Sequence, residues 1–363
     1  MTAHVQTAIN NKIGSVTLDR PKALNSLSLD MVRAITQALL DWRDDPGVQA
    51  VVIRSSSEKA FCAGGDIRFF RDMGHATPRG GSALLEDFFS EEYALNYLTH
   101  HYPKPYIALM DGVVMGGGMG LAQSGPSCQM RIVTERTKMA MPEVNIGLFP
   151  DVGGSYFLSR TPGQIGTYLG VTGEAINAAD ALYAGLADVF VPAAQFPVLL
   201  ALLESRESGD YRAAIRAFAA PFQSQIDPAG SALARERAAL DRHFAQGTVA
   251  AIIASLVQDP SPFAQNTLAA MRKRSPLMMC VTLEQLRRGA SMDVADCLHM
   301  ERTMVRRCFE HGEILEGVRA MVIDKDNAPN WSPATLDAVT PDMIAPFFES
   351  AWPPHAHPLR GLN

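Results

Sequence analysis

Residues 59–67 are Lys59-Ala60-Phe61-Cys62-Ala63-Gly64-Gly65-Asp66-Ile67, and they contain the first of two glycine-rich turns. The second turn, Gly116-Gly117-Gly118-Met119-Gly120, follows the apolar run Tyr106 to Met110, as the first follows the apolar run Ala50 to Ile53. Such runs are typical of strands buried on both faces. Glycine lets the backbone approach a ligand, and unpaired amides at a helix start carry the positive end of the helix dipole. A single turn of this kind is more often a tight connection, but two together favour a site that stabilises negative charge on oxygen.

The first half of the chain alternates predicted strands and helices. Residues 13–18 alternate apolar and small side chains, which predicts a strand that ends at Arg20-Pro21. Ser28 is a suitable N-cap for a helix whose apolar side chains recur every three or four residues from Met31 to Trp42. The alternation continues to about residue 200 and predicts parallel βα units, although no regular sequence repeat is visible.

The composition changes after Pro192, where stretches rich in Ala, Leu and Arg replace the strand-like runs. Helices are expected in segments such as Ala232 to Phe244 and Asn266 to Arg274, with a short last helix near Pro341 to Phe348. We therefore expect three parts: a core with the candidate site in residues 1–200, a helical C-terminal region in residues 201–350, and a flexible tail in residues 351–363.

Composition and charge exclude several classes of function. The chain has 363 residues, 47% of them hydrophobic, and a formal net charge of −6, so it has no general attraction for nucleic acid. Its five cysteines are scattered, which disfavours a disulfide framework or a zinc ribbon. No apolar run reaches the ~20 residues that a membrane span needs, and residues 1–10 lack the pattern of a targeting segment. We expect a cytoplasmic protein with no metal and no nucleic-acid or membrane partner.

Two acids, Glu143 and Asp151, stand out in the segment Met141 to Gly154, which is otherwise almost uncharged. An acid among apolar neighbours loses solvation, which raises its pKa and suits it to act as a base or nucleophile. Either acid taken alone is as well explained as an exposed loop residue or a helix cap. The sequence lacks the patterns of nucleotide-binding loops, serine hydrolase elbows and zinc peptidase helices, so these two acids are the best candidates for chemistry.

Several of these segments resemble the crotonase superfamily of enoyl-CoA hydratases and isomerases. They are residues 59–67, the turn Gly116 to Gly120, and Met141-Pro142-Glu143, while residues 20–27 match the N-terminal signature of that superfamily. The resemblance implies an α/β fold of the crotonase-like (ClpP/crotonase) type, which is a spiral of ββα units, here with a C-terminal helical region. It also implies an acyl-CoA thioester as substrate, with CoA as part of that substrate and no separate cofactor.

The resemblance also implies roles for individual residues. The backbone amides of Gly65 and Gly117 fall on the pair that binds the thioester carbonyl oxygen. The residues implied to bind the rest of the substrate are Asn25, Gly64, Asp66 and Ile67. Hydratases of the superfamily use two glutamates, and Gly120 occupies the place of one of them, so paired-glutamate hydration lacks a partner.

Two longer segments, Gly147 to Leu158 and Ile314 to Asp326, resemble the 3-hydroxyisobutyryl-CoA hydrolase branch of the superfamily, which also has an extended C-terminal region. This implies hydrolysis of a β-hydroxyacyl-CoA thioester in valine catabolism, with Glu143 and Asp151 as the catalytic pair and Glu92 in contact with the substrate. Residues 125–137 form a slightly longer segment than is usual in that branch.

Two other functions stay open from the sequence. An enoyl-CoA isomerase or atypical hydratase would need only Glu143 as a base, and release of free CoA separates hydrolysis from both. A protein that binds acyl-CoA without catalysis is the second alternative, because a fold does not guarantee activity. The sequence does not choose between attack by Glu143 and activation of water, and it leaves open whether the chain forms a homo-oligomer.

Overall fold

The structure is a computed structural model that describes residues 2–79, 81–123, 129–206 and 209–362. The strands are β1 (Val5–Asn10), β2 (Ile13–Leu18), β3 (Ala50–Ser55), β4 (Ala60–Cys62), β5 (Tyr106–Met110), β6 (Val113–Met115), β7 (Gln129–Val133), β8 (Lys138–Ala140), β9 (Ile176–Asn177) and β10 (Val189–Phe190). The helices are α1 (Leu29–Arg43), α2 (Ile67–Ala76), α3 (Ala83–His100), α4 (Gly117–Ala122), α5 (Gly154–Leu158), α6 (Ile165–Thr172), α7 (Ala178–Tyr183), α8 (Phe196–Glu204), α9 (Tyr211–Ala219), α10 (Ala232–Arg235), α11 (Arg237–Phe244), α12 (Val249–Val257), α13 (Pro262–Met271), α14 (Pro276–Gly289), α15 (Val294–His311), α16 (Glu313–Val318) and α17 (Pro341–Ile344).

The chain divides into two compact units, and each unit combines three segments of the sequence. Unit 1 consists of Met1–Gly65, Ala94–Met139 and Ile176–Ala234, and unit 2 consists of Asp66–Tyr93, Ala140–Ala175 and Arg235–Asn363. The boundaries expected near residues 200 and 350 would instead divide the chain into consecutive segments, and they stay predictions.

Unit 1 is built on two sheets between which the chain alternates. The larger sheet has the order β1-β2-β3-β5-β7-β10 and is parallel apart from the antiparallel hairpin of β1 and β2. The smaller sheet has the order β4-β6-β8-β9. Each of β3, β5 and β7 is therefore followed by a strand of the smaller sheet. This repeated step is the expected spiral of ββα units, and the predicted fold class is confirmed.

The strands that lead into the glycine turns differ from the prediction. The apolar runs form β3 and β5 as expected, but the short strands β4 and β6 follow them and lead directly into the turns. β4 and β6 pair in parallel, which brings the two turns to the same edge of the smaller sheet. Strands of three residues are too short to show a period in the sequence, so this second sheet could not be predicted.

The longer predicted elements are confirmed. Residues 13–18 form β2, and Ser28 caps α1 by accepting a hydrogen bond from the amide of Met31. The core of unit 1 forms where the larger sheet packs on α8 and α9, and it includes Val52, Ile107, Leu199 and Ile215. This core includes residues of β3 and β5, the two strands that come before the glycine turns in the chain.

Unit 2 is mainly helical, and it contains most of the sequence beyond Pro192, where helices were expected. A cluster of aromatic rings joins α2, α3 and α15: the ring of Phe70 lies 4.9 Å from those of Phe88 and Phe89, and Phe309 lies 5.7 Å from Phe89. Rings packed at such distances bury large apolar areas and fix the helices that carry them. This packing places acidic residues of α3 and α15 within one buried region.

The last residues of the chain contact α15. His357 and Leu359 are buried, and a ring nitrogen of His299 lies 2.7 Å from the carbonyl oxygen of Leu359. These contacts involve part of the segment 351–363, whose flexibility stays a prediction. Of the segment 125–137, which we expected to be slightly long, residues 125–128 lie outside the described part of the chain.

Candidate active site

Four buried carboxylic side chains form an acidic cluster in unit 2. They are Glu92 on α3, Glu143 in a short 3-10 turn, Asp151 in the following loop, and Glu301 on α15, and each is at most 6% exposed. Their charges influence one another, since the pKa of Glu143 responds to the other three. Buried carboxyl groups that interact in this way are a common property of active sites.

Burial is the main reason that these carboxyl groups have raised pKa values. Loss of solvent holds the pKa of both Glu92 and Glu143 well above the usual range, and the negative charge of Asp151 raises both further. Burial raises the pKa of Asp151 to about 6, opposed by a hydrogen bond from Tyr93. A carboxyl group with a raised pKa is a stronger base once it ionises, and it serves best when its pKa lies near the working pH.

Two of these acids have an oxygen atom that is buried without a hydrogen-bond partner in the described part of the chain. They are Oε1 of Glu92 and Oε2 of Glu143. Buried polar atoms in proteins are nearly always paired, so such exceptions point to a ligand or to chemistry. The two oxygen atoms are therefore candidates for contact with a substrate, and that role stays a prediction.

The backbone around Glu143 explains how its side chain is fixed. The residue opens a 3-10 turn, Glu143–Ile146, which ends at Gly147 with a positive φ of 71°. A Cβ atom at Gly147 would lie 2.6 Å from the backbone of Glu313, so only glycine allows this approach of the turn to the start of α16. Pro142 and Gly147 thus hold both ends of the turn that carries the acid.

Two residues were not predicted from the sequence: Glu301 of the acidic cluster, and Tyr93, which contacts Asp151. The hydroxyl of Tyr93 donates a 2.7 Å hydrogen bond to Asp151, and Glu301 accepts bonds from the amides of Gly153 and Ser155. The only signal for Glu301 was its spacing: it lies three residues after Leu298 and four before Val305, so it falls on the apolar face of a helix. Such a position predicts burial but does not show which loop the carboxylate meets.

The two glycine turns of unit 1 lie against each other. Gly64 has a φ of 98°, and a Cβ atom there would lie 3.2 Å from the carbonyl oxygen of Met115 and 3.5 Å from the amide nitrogen of Gly117. Neither the amide of Gly65 nor that of Gly117 donates a hydrogen bond to any group in the described ranges. Two unpaired amides on touching turns have the properties that binding of an oxyanion requires, and their role in binding substrate stays a prediction.

The other predicted substrate-binding residues have structural partners. Asn25 is fully buried with a φ of 56°, and its side-chain nitrogen donates to the carbonyl oxygens of Ala60 and Phe61. Asp66 caps α2 by accepting from the amide of Phe69, and Ile67 is the first residue of that helix. Asn25 therefore ties the N-terminal loop to β4, next to the first glycine turn. The contacts of all three residues with CoA stay predictions.

Comparison with known proteins identifies the family. The sequence pattern of the enoyl-CoA hydratase/isomerase family matches residues 13–348. The chain belongs to that family. The resemblance of residues 59–67 and of the other quoted segments to the crotonase superfamily is thereby confirmed.

Individual members of the family resemble the chain over nearly its whole length. The mitochondrial 3-hydroxyisobutyryl-CoA hydrolase of Rattus norvegicus is 39% identical over 353 residues, which is 96% of this chain and 89% of that protein. A crystal structure of a carnitinyl-CoA dehydratase from Mycobacterium thermoresistibile matches with a TM-score of 0.89 and 36% identity, covering 97% of this chain and 98% of the other. An enoyl-CoA hydratase from Rhodobacter sphaeroides 2.4.1 matches with a TM-score of 0.85 and 39% identity, covering 96% and 98%.

The described part of the chain holds neither a metal-binding cluster nor a membrane-spanning helix. In the four described ranges, no group of three His, Cys, Asp or Glu side chains has an arrangement that holds a metal ion. No helix within those ranges is long and apolar enough to span a bilayer.

Proposed function

We propose that the chain hydrolyses the thioester of 3-hydroxyisobutyryl-CoA, or of a similar β-hydroxyacyl-CoA, to the free hydroxy acid and CoA. The observation that carries this proposal is the buried pair Glu143 and Asp151, in which an oxygen of Glu143 has no partner among the described residues. The near-40% identity to proteins named 3-hydroxyisobutyryl-CoA hydrolase supports the same substrate.

In the proposed mechanism, the amides of Gly65 and Gly117 stabilise negative charge that develops on the thioester oxygen. One such donor typically contributes ~3–4 kcal/mol to lowering the barrier. Glu143 acts by one of two routes. In the first route, its carboxylate attacks the acyl carbon, the C–S bond breaks, CoA leaves as a thiolate, and water cleaves the mixed anhydride that has formed. In the second route, Glu143 takes a proton from a water molecule that attacks the acyl carbon directly.

Asp151 and Glu92 are proposed to recognise the 3-hydroxyl group of the substrate or to assist proton movement. A site that forms hydrogen bonds to a hydroxyl group rejects analogues that lack it far more strongly than an apolar pocket does. The unpartnered oxygen of Glu92 and the buried carboxyl of Asp151 fit this role. We therefore expect isobutyryl-CoA to be a poor substrate.

Hydration is the less favoured reaction, although two of the matched structures are of proteins named as a dehydratase and a hydratase. The place of the second hydratase glutamate is Gly120, which has no side chain to act as acid or base. Glu143 alone would still allow isomerisation.

We also propose that no cofactor is needed beyond the CoA of the substrate. The cytoplasmic location and a homo-oligomeric state likewise stay proposals, and light scattering tests the latter.

Thiol release by the purified chain from 3-hydroxyisobutyryl-CoA, isobutyryl-CoA and methacrylyl-CoA tests the function. We expect rapid release of CoA from the first, slow release from the second, and no loss of the enoyl absorbance of the third. Equal rates with the first two thioesters would contradict recognition of the hydroxyl group. Loss of the enoyl absorbance without release of thiol would replace hydrolase by hydratase.

A further inference from the structure

The loop that carries Asp151 has an unusual backbone. The amide of Gly154 donates a 2.7 Å hydrogen bond to the carbonyl oxygen of Asp151 and closes a four-residue turn. Both central residues have positive φ, 53° at Val152 and 88° at Gly153, which is the signature of a type I′ turn. Glycine and asparagine are the usual residues in such turns, because they tolerate this conformation.

Val152 is unfavourable at its position. Its branched Cβ clashes with the backbone in the left-handed region, which non-glycine residues rarely adopt. Its side chain is nevertheless buried, at 3% exposure. A conformation of this kind persists only where surrounding contacts hold it, and here it adjoins a proposed catalytic acid.

Glu301 provides the contacts that hold the turn from α15. Its two carboxylate oxygens accept hydrogen bonds of 2.7 Å from the amide of Gly153 and 2.8 Å from the amide of Ser155. Glu301 is completely buried, and Gly153 has no side chain with which to cap the short helix α5. The carboxylate of a residue almost 150 positions away therefore caps α5 and fixes the residue two places beyond Asp151.

Gln285 on α14 holds the same turn through other atoms. Its side-chain nitrogen donates to the carbonyl oxygen of Pro150 at 2.5 Å and to the hydroxyl of Ser155 at 2.8 Å, and the residue is completely buried. The turn is thus held just before Asp151 by α14 and just after it by α15. Both helices belong to the C-terminal part of the chain, outside the loop that carries the catalytic pair.

We propose that Glu301 is a positioning residue, which fixes the turn 151–154 and thereby aims the carboxyl group of Asp151 at the 3-hydroxyl of the acyl group. This inference rests on the proposed function, because it assigns Glu301 a part in the choice of substrate. Glu301 acts through the backbone of Gly153 and Ser155. When these contacts are lost, Val152 is released from its strained conformation and Asp151 moves from its place.

The test compares Glu301→Gln with the wild-type chain on 3-hydroxyisobutyryl-CoA and isobutyryl-CoA. Glutamine keeps the volume but has one acceptor oxygen in place of two, and its NH2 group faces an amide that also donates. We expect kcat on the hydroxylated thioester to fall about 100-fold, as for a small misplacement of a reacting group. The ratio of kcat/KM between the two thioesters should fall roughly tenfold, because the hydroxylated one depends on Asp151 more strongly than isobutyryl-CoA does.

A matched control is Val305→Ala, one helical turn further along α15 and fully buried. It destabilises the same helix without removing an acceptor from the turn, so both activities should change together and their ratio should stay at the wild-type value. If Glu301→Gln does not fold, Gln285→Ala loosens the same turn through α14 and should lower the ratio in the same way. An unchanged ratio in the variant measured would overturn the inference, whereas a wild-type chain without preference for the hydroxyl group would overturn the proposed function and this inference with it.

Discussion

The hydroxyl of Tyr93 lies 2.7 Å from a carboxylate oxygen of Asp151 and donates a hydrogen bond to it. Both side chains are buried, so the bond is formed without competition from solvent. Burial raises the pKa of Asp151 to about 6, and the hydrogen bond acts in the opposite direction by favouring the ionised form. Tyr93 therefore lowers the pH above which Asp151 carries its charge.

Replacement of Tyr93 by phenylalanine should raise the pKa of Asp151 above about 6, because the ionised form loses a donor. The rise of kcat/KM with pH should then move to higher pH by about one unit. The measurement is a pH–rate profile of thiol release. Tyr102→Phe is the control, since it removes a buried hydroxyl that donates to the carbonyl oxygen of Leu39, and its profile should match that of the wild type. Coincident profiles for Tyr93→Phe and the wild type would exclude this role of Tyr93.

Glu143→Gln should lower kcat by a factor of about 10²–10⁴, the usual contribution of a positioned acid or base. The substitution keeps the shape of the side chain, and Oε2 of Glu143 has no partner to lose among the described residues. The variant should therefore fold normally and bind the thioester with a similar affinity. Single-turnover thiol release and calorimetric binding separate the two effects, and near-normal turnover would remove Glu143 from the mechanism.

The stability of the chain should decline as the pH rises from about 4 to about 8. Asp151 has a folded-state pKa of about 6, and burial holds the pKa values of Glu92 and Glu143 well above the usual range, so the native state holds more protons than the unfolded state in this range. The free energy of unfolding decreases with pH wherever the native state binds more protons. Thermal melts from pH 5 to pH 8 test this expectation.

Glu143→Gln should melt at a higher temperature than the wild type at pH 8, because it removes a buried acid whose pKa is also raised. The stability of this variant should also decline less steeply with pH than that of the wild type. Asp337→Asn, which changes an exposed acid, should leave the wild-type slope in place. A wild-type chain that gains stability between pH 5 and pH 8 would show that the buried cluster does not dominate the pH dependence.

Gly64→Ala should reduce activity and Gly185→Ala should not. Both glycines have positive φ, so alanine costs each about 1–2 kcal/mol of stability. At Gly64 the added Cβ would also lie 3.2 Å from the carbonyl oxygen of Met115 and would push apart the two glycine turns, whereas nothing lies within 4 Å at Gly185. We expect similar melting temperatures but a loss of about 10²–10³ in kcat for Gly64→Ala alone. Equal activity of the two variants would show that the packing of the two glycine turns does not affect catalysis.

The sequence predicted those features that leave a local pattern. The helix from Leu29 was visible from its cap at Ser28 and its apolar spacing, and the buried strands β3 and β5 from their apolar runs. Family resemblance supplied the fold class and singled out Glu143 and Asp151. These are properties of short segments, which sequence motifs record well.

Long-range contacts left no such pattern. The short strands β4 and β6 form because they pair with each other. The carboxylate of Glu301 is held by the amides of Gly153 and Ser155, almost 150 residues earlier. The positive φ of Val152 ran against the preference of its side chain, so no rule of local conformation could predict it. Tertiary contacts determine each of these features.

The division of the chain into interleaved segments has a consequence for its synthesis on the ribosome. When residue 234 has been joined, all three segments of unit 1 exist, whereas unit 2 still lacks its longest segment, Arg235–Asn363. Because nascent chains emerge from the N-terminus, unit 1 can fold during translation while the helices near Glu92 and Asp151 wait for α14 and α15. The acidic cluster is therefore assembled last, and a prematurely terminated chain would contain the glycine turns but not the completed cluster of acids.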